Sequence, residues 1–266
     1  MSLANLSKKI LPHKIRNAFG VYGIKAVSKS ALTTTLFSLA FDFRTPGVKM
    51  LPDGLCSRRI GDRDILCHRD GFRIFHEIFE DNIYEKYWKP EPGDIVLDLG
   101  AYVGMYSYRA AQLVGDSGMV VAVEPNDSNL KLLRQNLAGM KNTRIIEAAI
   151  GEDNRLSWLH VSPKSTCHSI LGPKGDDVPV EIIAIDSLVR RLRLPRVDII
   201  KMDVEGAELL ALAGAKETLK GDVKLAIEYY HTAADRHQMQ EDLTRTLTEN
   251  GFHVRSNQEY VYADKE

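Results

Sequence analysis

A short apolar strand that breaks on glycine constrains this chain more than any other feature. Residues 94 to 104 read Asp-Ile-Val-Leu-Asp-Leu-Gly-Ala-Tyr-Val-Gly. Ile95, Val96, Leu97 and Leu99 form the short apolar run typical of a buried parallel strand. Gly100 ends the run, and the spacing predicts a helix over residues 103 to 113. A strand that turns through glycine into a helix directs free backbone N–H groups at one small volume. The glycines are spaced Gly-x-x-x-Gly, with Asp98 two residues before the first. The dinucleotide fingerprint Gly-x-Gly-x-x-Gly is absent, which argues against a nicotinamide or flavin cofactor.

A second acid supports a ligand site here. Residues 119 to 125, Met-Val-Val-Ala-Val-Glu-Pro, form the next apolar run and end on Glu124 and Pro125. An acid at the tip of the second strand of a doubly wound sheet suits two ribose hydroxyls, because one carboxylate accepts both hydrogen bonds. Glu124 therefore points to an adenosine ligand. Asp98, at the end of the first strand, suits an ammonium or hydroxyls rather than a pyrophosphate. Taken singly, either acid also fits a helix N-cap or a surface charge; their order, each at a strand end, favours a site.

The remaining chain keeps the same rhythm. Asn126-Asp127-Ser128 caps a helix carrying Leu130, Leu133 and Leu137. Residues 143 to 149 read as a third strand. Residues 156 to 161 and 178 to 183 read as an inserted strand pair, joined by a Ser/Pro/Gly-rich loop with His168 and Ser169. Strands are expected at 197 to 202 and 223 to 228, a helix at 235 to 250, and a closing hairpin from residues 251 to 263. The pattern predicts an α/β fold with a Rossmann-like, mostly parallel sheet, an antiparallel last strand and helices on both faces. Residues 1–74 read as an N-terminal helical or irregular extension, and 75–266 as the ligand-binding domain. Lys8, Lys9, Lys14, Arg16, Lys25 and Lys29 lie among apolar residues near the start. That pattern fits a helical cap on the domain, or a segment in peripheral contact with a membrane.

Composition narrows the function classes. With 35 basic and 36 acidic residues the net charge is −1, so no global field draws in nucleic acid. No run of 18 apolar residues is present to span a membrane. Cys56, Cys67 and Cys167 fit neither a Cys-x-x-Cys metal pair nor a disulfide framework, which points to a reduced, cytoplasmic setting.

Lys201-Met-Asp-Val-Glu-Gly-Ala-Glu208 is the second charged centre. It follows a strand, so Asp203 and Glu205 should face the same crevice as Asp98. Asp203 also suits an N-cap, and Glu205 and Glu208 suit a helix dipole. Together with Asp98-Leu-Gly-Ala-Tyr-Val-Gly104 and Val123-Glu-Pro-Asn126, this stretch resembles the successive motifs of the FkbM family of S-adenosylmethionine-dependent methyltransferases. The first two motifs are shared with many methyltransferases; the third is the specific one. The chain departs from the family pattern at Tyr102, where asparagine is common. It departs again at Glu228-Tyr-Tyr-His231, where the histidine commonly comes two residues after the glutamate.

The resemblance implies a class I methyltransferase sheet and methyl transfer to oxygen on a sugar, glycan or glycolipid. It implies that Asp98, Gly100, Ala101, Tyr102, Gly104, Glu124, Pro125, Asn126, Ala148 and Asp203 contact S-adenosylmethionine. A hydroxyl acceptor must lose its proton, which makes Asp203, Glu205 and His231 the candidates for base or acceptor orientation. No compact His/Asp motif demands a metal. An N-methyltransferase or a nucleic-acid methyltransferase is the nearest rival among enzymes, but neither an Asn/Asp-Pro-Pro-Tyr/Phe motif nor a basic aromatic tail is present. A catalytically silent binding module remains as the alternative from another class.

Overall fold

The computed structural model describes residues 47–171, 176–229 and 236–265. The expected helical segment in residues 1–46 lies outside them. Residues Gly47–Glu266 form one compact unit, so the boundary expected at residue 75 falls inside packed structure. The reason is a small antiparallel sheet of β1 (Val48–Met50), β2 (Leu55–Ile60) and β3 (Arg63–His68), which is stitched to the body. Asn136, almost fully buried, does the stitching: its amide accepts from Leu66 N at 2.9 Å and donates to Leu66 O and Val103 O, both at 2.8 Å. Cys56 and Cys67 face each other across β2 and β3 as free thiols, and Cys167 is free as well.

After α1 (Ile74–Phe79) comes the strand that organises the fold, β4 (Ile95–Leu99), buried at every residue. It leads into α2 (Met105–Val114), β5 (Met119–Val123), α3 (Asp127–Asn136) and β6 (Thr143–Ile146). The third strand is shorter than expected. The chain leaves the main sheet after Ile146, and β7 (Ala149–Gly151) pairs instead with β9 (Asp176–Ala184) in a second sheet. β8 (Arg155–Val161) lies antiparallel to β9 as the expected inserted pair. Then follow α4 (Ile185–Leu192), β10 (Ile199–Met202), α5 (Glu208–Ala213), β11 (Lys224–Glu228), α6 (Arg236–Glu249), β12 (His253–Ser256) and β13 (Tyr260–Asp264).

The main sheet has the order β12-β13-β11-β10-β4-β5-β6. The strands β6, β5, β4, β10 and β11 run parallel; β13 returns antiparallel to β11 and β12 closes the hairpin. From β4 the chain winds outward through β5 and β6, whereas β10 winds the opposite way through β11. Right-handed crossovers in opposite directions put their helices on opposite faces of the sheet. The order reverses between β4 and β10, where neighbouring connections diverge and leave a crevice at the carboxyl ends. Leu97, Leu99, Val121, Val123, Ile200, Met202, Leu225 and Ile227 fill the core on either side of it. No helix among the described residues is long and apolar enough to cross a membrane.

Gly100 lies at that reversal with φ +74°, and a Cβ built on it would come within 1.7 Å of the Asp203 carbonyl oxygen. No side chain fits there, because the tips of β4 and β10 touch through backbone. Gly100→Ala is therefore expected to destabilise the protein by at least about 3 kcal/mol. Urea denaturation measures it directly, and a midpoint equal to wild type would contradict this packing.

Candidate active site

Two cavities open at the carboxyl ends of β4, β5 and β10, sharing Gly100, Tyr102, Asp203 and Glu205 as a common wall. The first is a slot between the first βα turn and the second sheet. Val123, Pro125, Ala148, Ile150, Leu159 and Ile170 make it largely apolar, with Glu124 as its buried acid. The second is a chamber of about 350 Å³ that reaches from Ala101 to Tyr84, Lys201 and Glu228.

Glu124 is held by a convergence of donors. Its Oε1 accepts from Asn126 N at 3.0 Å and from the Asn129 amide at 3.2 Å; its Oε2 accepts from Tyr102 N at 2.9 Å. Each carboxylate oxygen offers two lone pairs, so Oε2 retains capacity for a hydroxyl. Burial drives its pKa up to about 7, although the Asn126, Asn129 and Tyr102 donors pull the other way. Tyr102 presents its N–H this way because it adopts φ 53°, a left-handed conformation costing about 1–3 kcal/mol for a residue with a side chain. Asparagine adopts that conformation more readily. Here the tyrosine ring gains its own anchor, with its hydroxyl 2.7 Å from Ser165 Oγ.

Ser165 belongs to the loop between β8 and β9, which closes one side of the slot. Asp70 accepts from its backbone N–H at 2.8 Å and its hydroxyl at 2.6 Å, and Asn129 donates to its carbonyl at 3.0 Å. Further along, Ser169 Oγ donates to the Glu205 carbonyl at 2.6 Å. Glu205 itself takes φ 54° and Gly206 φ 99°. That left-handed pair is the structural meaning of Glu-Gly in the third motif.

Asp98 stands apart from the expectation. It is fully buried and lines neither cavity. The ammonium it meets is internal: Lys201 Nζ lies 3.1 Å from Oδ1, while Ser107 Oγ donates to Oδ2 at 2.5 Å. Lys201 also donates to the Gly100 carbonyl at 2.7 Å and sits 5.2 Å from the centre of the Tyr84 ring. Burial opposes the Lys201 charge, but Asp98 and Asp203 outweigh it and hold the pKa above its ordinary value. Asp98 thus braces the turn from beneath.

Two further expected contacts also resolve into structural roles. Asn126 caps α3, its Oδ1 accepting from Ser128 N at 2.9 Å and Asn129 N at 3.1 Å. Gly104, at φ +81°, starts α2 against Leu133. Gly100, Tyr102, Glu124, Pro125, Ala148, Asp203 and Glu205 do come together at the slot, and Ala101 lines the chamber. His231 lies outside the described residues.

Sequence reading passed over Asn129 and Tyr84. Asn129 is a polar residue on the buried face of α3, a detectable anomaly. Tyr84 comes from the segment before β4; its hydroxyl donates to Glu228 at 2.6 Å, and burial followed by the Glu228 and Asp203 charges raises its pKa well above the usual range. Among the described residues no group of three or more His, Cys, Asp or Glu is placed to hold a metal ion.

A family model described as the Methyltransferase FkbM domain matches residues 98–254. The chain is 28% identical over 159 residues to the 2-O-methyltransferase NoeI of Sinorhizobium fredii, covering 53% of this chain and 64% of that relative. It is 21% identical over 227 residues to the 31-O-demethyl-FK506 methyltransferase FkbM of Streptomyces tacrolimicus, covering 73% of this chain and 86% of that one. The crystal structure of a methyltransferase FkbM from Methylobacillus flagellatus superposes with a TM-score of 0.50 at 19% identity, over 72% of this chain and 51% of that chain. The chain thus spans about two thirds of NoeI and half of the Methylobacillus chain, and the latter likeness shows the fold.

Two outcomes are expected from this geometry. Lys201→Met would leave the Asp98 carboxylate buried without its counter-ion and should cost about 3–5 kcal/mol in chemical denaturation; an unchanged stability would contradict the ion pair. Glu124, with a folded pKa of about 7 above its ordinary 4.5, favours the fold most below the ordinary value and less as pH rises through 7. A ligand hydroxyl bonded to the ionised form reverses that preference. Binding of S-adenosylhomocysteine should therefore weaken as pH falls below 7 and release a proton, detected by calorimetry in buffers of different ionisation enthalpy. Glu124→Gln should abolish the release.

Proposed function

This chain belongs to the FkbM family of methyltransferases, and from that premise we propose that it methylates a hydroxyl oxygen of a sugar, glycan or glycolipid, using S-adenosylmethionine. The observation that carries the reading is the pair of adjoining cavities, one suited to the donor and the other to an acceptor, with Asp203 and Glu205 on their common wall. Two relatives support transfer to oxygen: NoeI is a 2-O-methyltransferase, and the Streptomyces protein methylates 31-O-demethyl-FK506.

The residues present suit the donor. Glu124 Oε2 retains hydrogen-bonding capacity for a ribose hydroxyl, and Pro125, Ala148 and Ile150 offer an apolar surface for a base. Gly100 and Tyr102 bring the first βα turn to the same slot. When bound, S-adenosylmethionine supplies an electrophilic methyl group on a positively charged sulfur.

What the chain itself must do is position and deprotonate. Holding acceptor oxygen and methyl group in line turns a bimolecular encounter into an effectively unimolecular one. As the new C–O bond forms, the hydroxyl proton has to leave. Asp203 and Glu205 line both cavities, and a carboxylate there is the chemical type that can take it. Asp203 sits directly beyond β10, where its backbone N–H is fixed to Leu99 O at 3.0 Å. Glu228, bonded to Tyr84, shapes the far end of the chamber. The chamber is partly closed by the loop carrying Thr166 and Cys167, which limits water at the reacting oxygen.

Calorimetric titration with S-adenosylhomocysteine, with NAD as the control, tests the donor assignment: micromolar binding of the first alone is expected, and preference for NAD would overturn it. For the acceptor side, transfer of labelled methyl from S-adenosylmethionine to a panel of mono- and disaccharides is the assay. Asp203→Asn should lower turnover by about 100-fold or more while changing S-adenosylhomocysteine affinity far less. The reverse pattern would remove Asp203 from the acceptor side.

A further inference from the structure

Both oxygens of Glu124 are tied, through different residues, to one serine of the loop between β8 and β9. Asn129 donates one amide hydrogen to Glu124 Oε1 at 3.2 Å and the other to the Ser165 carbonyl at 3.0 Å. Tyr102 donates its backbone N–H to Glu124 Oε2 at 2.9 Å, and its hydroxyl lies 2.7 Å from Ser165 Oγ. Glu124, Asn129, Ser165 and Tyr102 thus close a ring at the wall of the slot, which all four line.

The ring is held from outside by Asp70. Its Oδ2 accepts the Ser165 backbone N–H at 2.8 Å, and its Oδ1 accepts the Ser165 hydroxyl at 2.6 Å. A serine has one hydroxyl hydrogen, so with that hydrogen on Asp70 the Tyr102 hydroxyl is the donor to Ser165 Oγ. Tyr102 keeps its proton for this, because burial raises its pKa far above the ordinary value. Asp70 sits in the short turn Arg69–Gly71 that follows β3. Gly71 beside it leaves room for the ring, since a Cβ there would collide with the Tyr102 hydroxyl. Asp70 precedes residues 98–254, which match the family model, and no sequence motif marks it.

Resting on the donor reading above, we propose that Asp70 is a positioning residue for S-adenosylmethionine. Acting through Ser165, it keeps the Tyr102 N–H and the Asn129 amide on Glu124 and so presets the carboxylate that takes a ribose hydroxyl. Tyr102 holds its N–H there only in a left-handed backbone conformation, at φ 53°. Without the latch, the donor would have to order that turn and the loop as it binds, and affinity falls by that cost.

Calorimetric titration of the full chain with S-adenosylhomocysteine tests this, with thermal unfolding to show that each variant is folded. Asp70→Ala and Tyr102→Phe should each weaken binding at least about fivefold. Ser165→Ala removes the hydroxyl and keeps both backbone contacts, and it carries the same prediction should Asp70→Ala not fold. Asp70→Ala combined with Tyr102→Phe should be no weaker than Asp70→Ala alone, because both break one chain of contacts. Tyr102→Asn should bind more tightly than Tyr102→Phe, since asparagine adopts the left-handed backbone more readily. The pH dependence separates positioning from general loosening. Burial raises the Glu124 pKa to about 7 against the Asn126, Asn129 and Tyr102 donors and the Lys201 charge. Releasing two of those donors should move the pH below which binding weakens upward from about 7. His68 and His168 would move the other way: burial lowers both pKa values, and Asp70, which opposes that, is removed. Wild-type affinity in all three single variants, additive losses in the double variant, or a pH profile that stays or moves downward would overturn the proposal. Failure of the wild-type chain to bind S-adenosylhomocysteine would instead overturn the reading on which it rests.

Discussion

The buried ion pair between Asp98 and Lys201 is the interaction on which the site depends. The two residues are direct neighbours in the register of β4 and β10, the strands between which the sheet reverses its order. A charge this deep is tolerable only when paired and hydrogen-bonded. The pair meets that condition, with Ser107 on the acid and the Gly100 carbonyl on the amine. Through that last bond it also fixes the turn at Gly100. One electrostatic contact therefore ties together the sheet, the glycine turn and the floor of both cavities.

Built on that floor, the site shows how local strain is compensated by long-range contacts. Tyr102 and Glu205 both take left-handed backbone conformations without being glycine. Each is held by the loop between β8 and β9: Ser165 meets the Tyr102 hydroxyl, and Ser169 meets the Glu205 carbonyl. The same loop is bonded to Asp70 from the segment after β3. The small N-terminal sheet is thus part of the structure that shapes the slot, which explains why the compact unit begins at Gly47.

Much of this was legible because it is local. The largely apolar stretches at residues 95–99, 119–123 and 199–202 form strands where expected, since parallel strands buried on both faces read as near-continuous apolar runs. The Glu124 position followed from its strand end, and Asn126-Asp-Ser read correctly as a helix cap. The N-cap role also explains why Asn126 is not on the cavity wall: its side chain is already committed to two backbone donors. The third strand misled because the run from Thr143 to Ala149 is continuous in sequence but divided between two sheets in space. Periodicity cannot register such a division.

The sequence alone determined the order of strands and helices, the glycine turn and the acids at strand ends, and with them the family. These depend on neighbours a few residues apart, where hydrophobic pattern and backbone sterics decide. Only the tertiary structure decided what each acid faces. Asp98 meets Lys201, Glu124 opens to the slot, and Glu228 meets Tyr84. Those partners lie far away in the chain, and which of them a buried carboxylate meets depends on strand register and loop packing, which the local pattern does not encode.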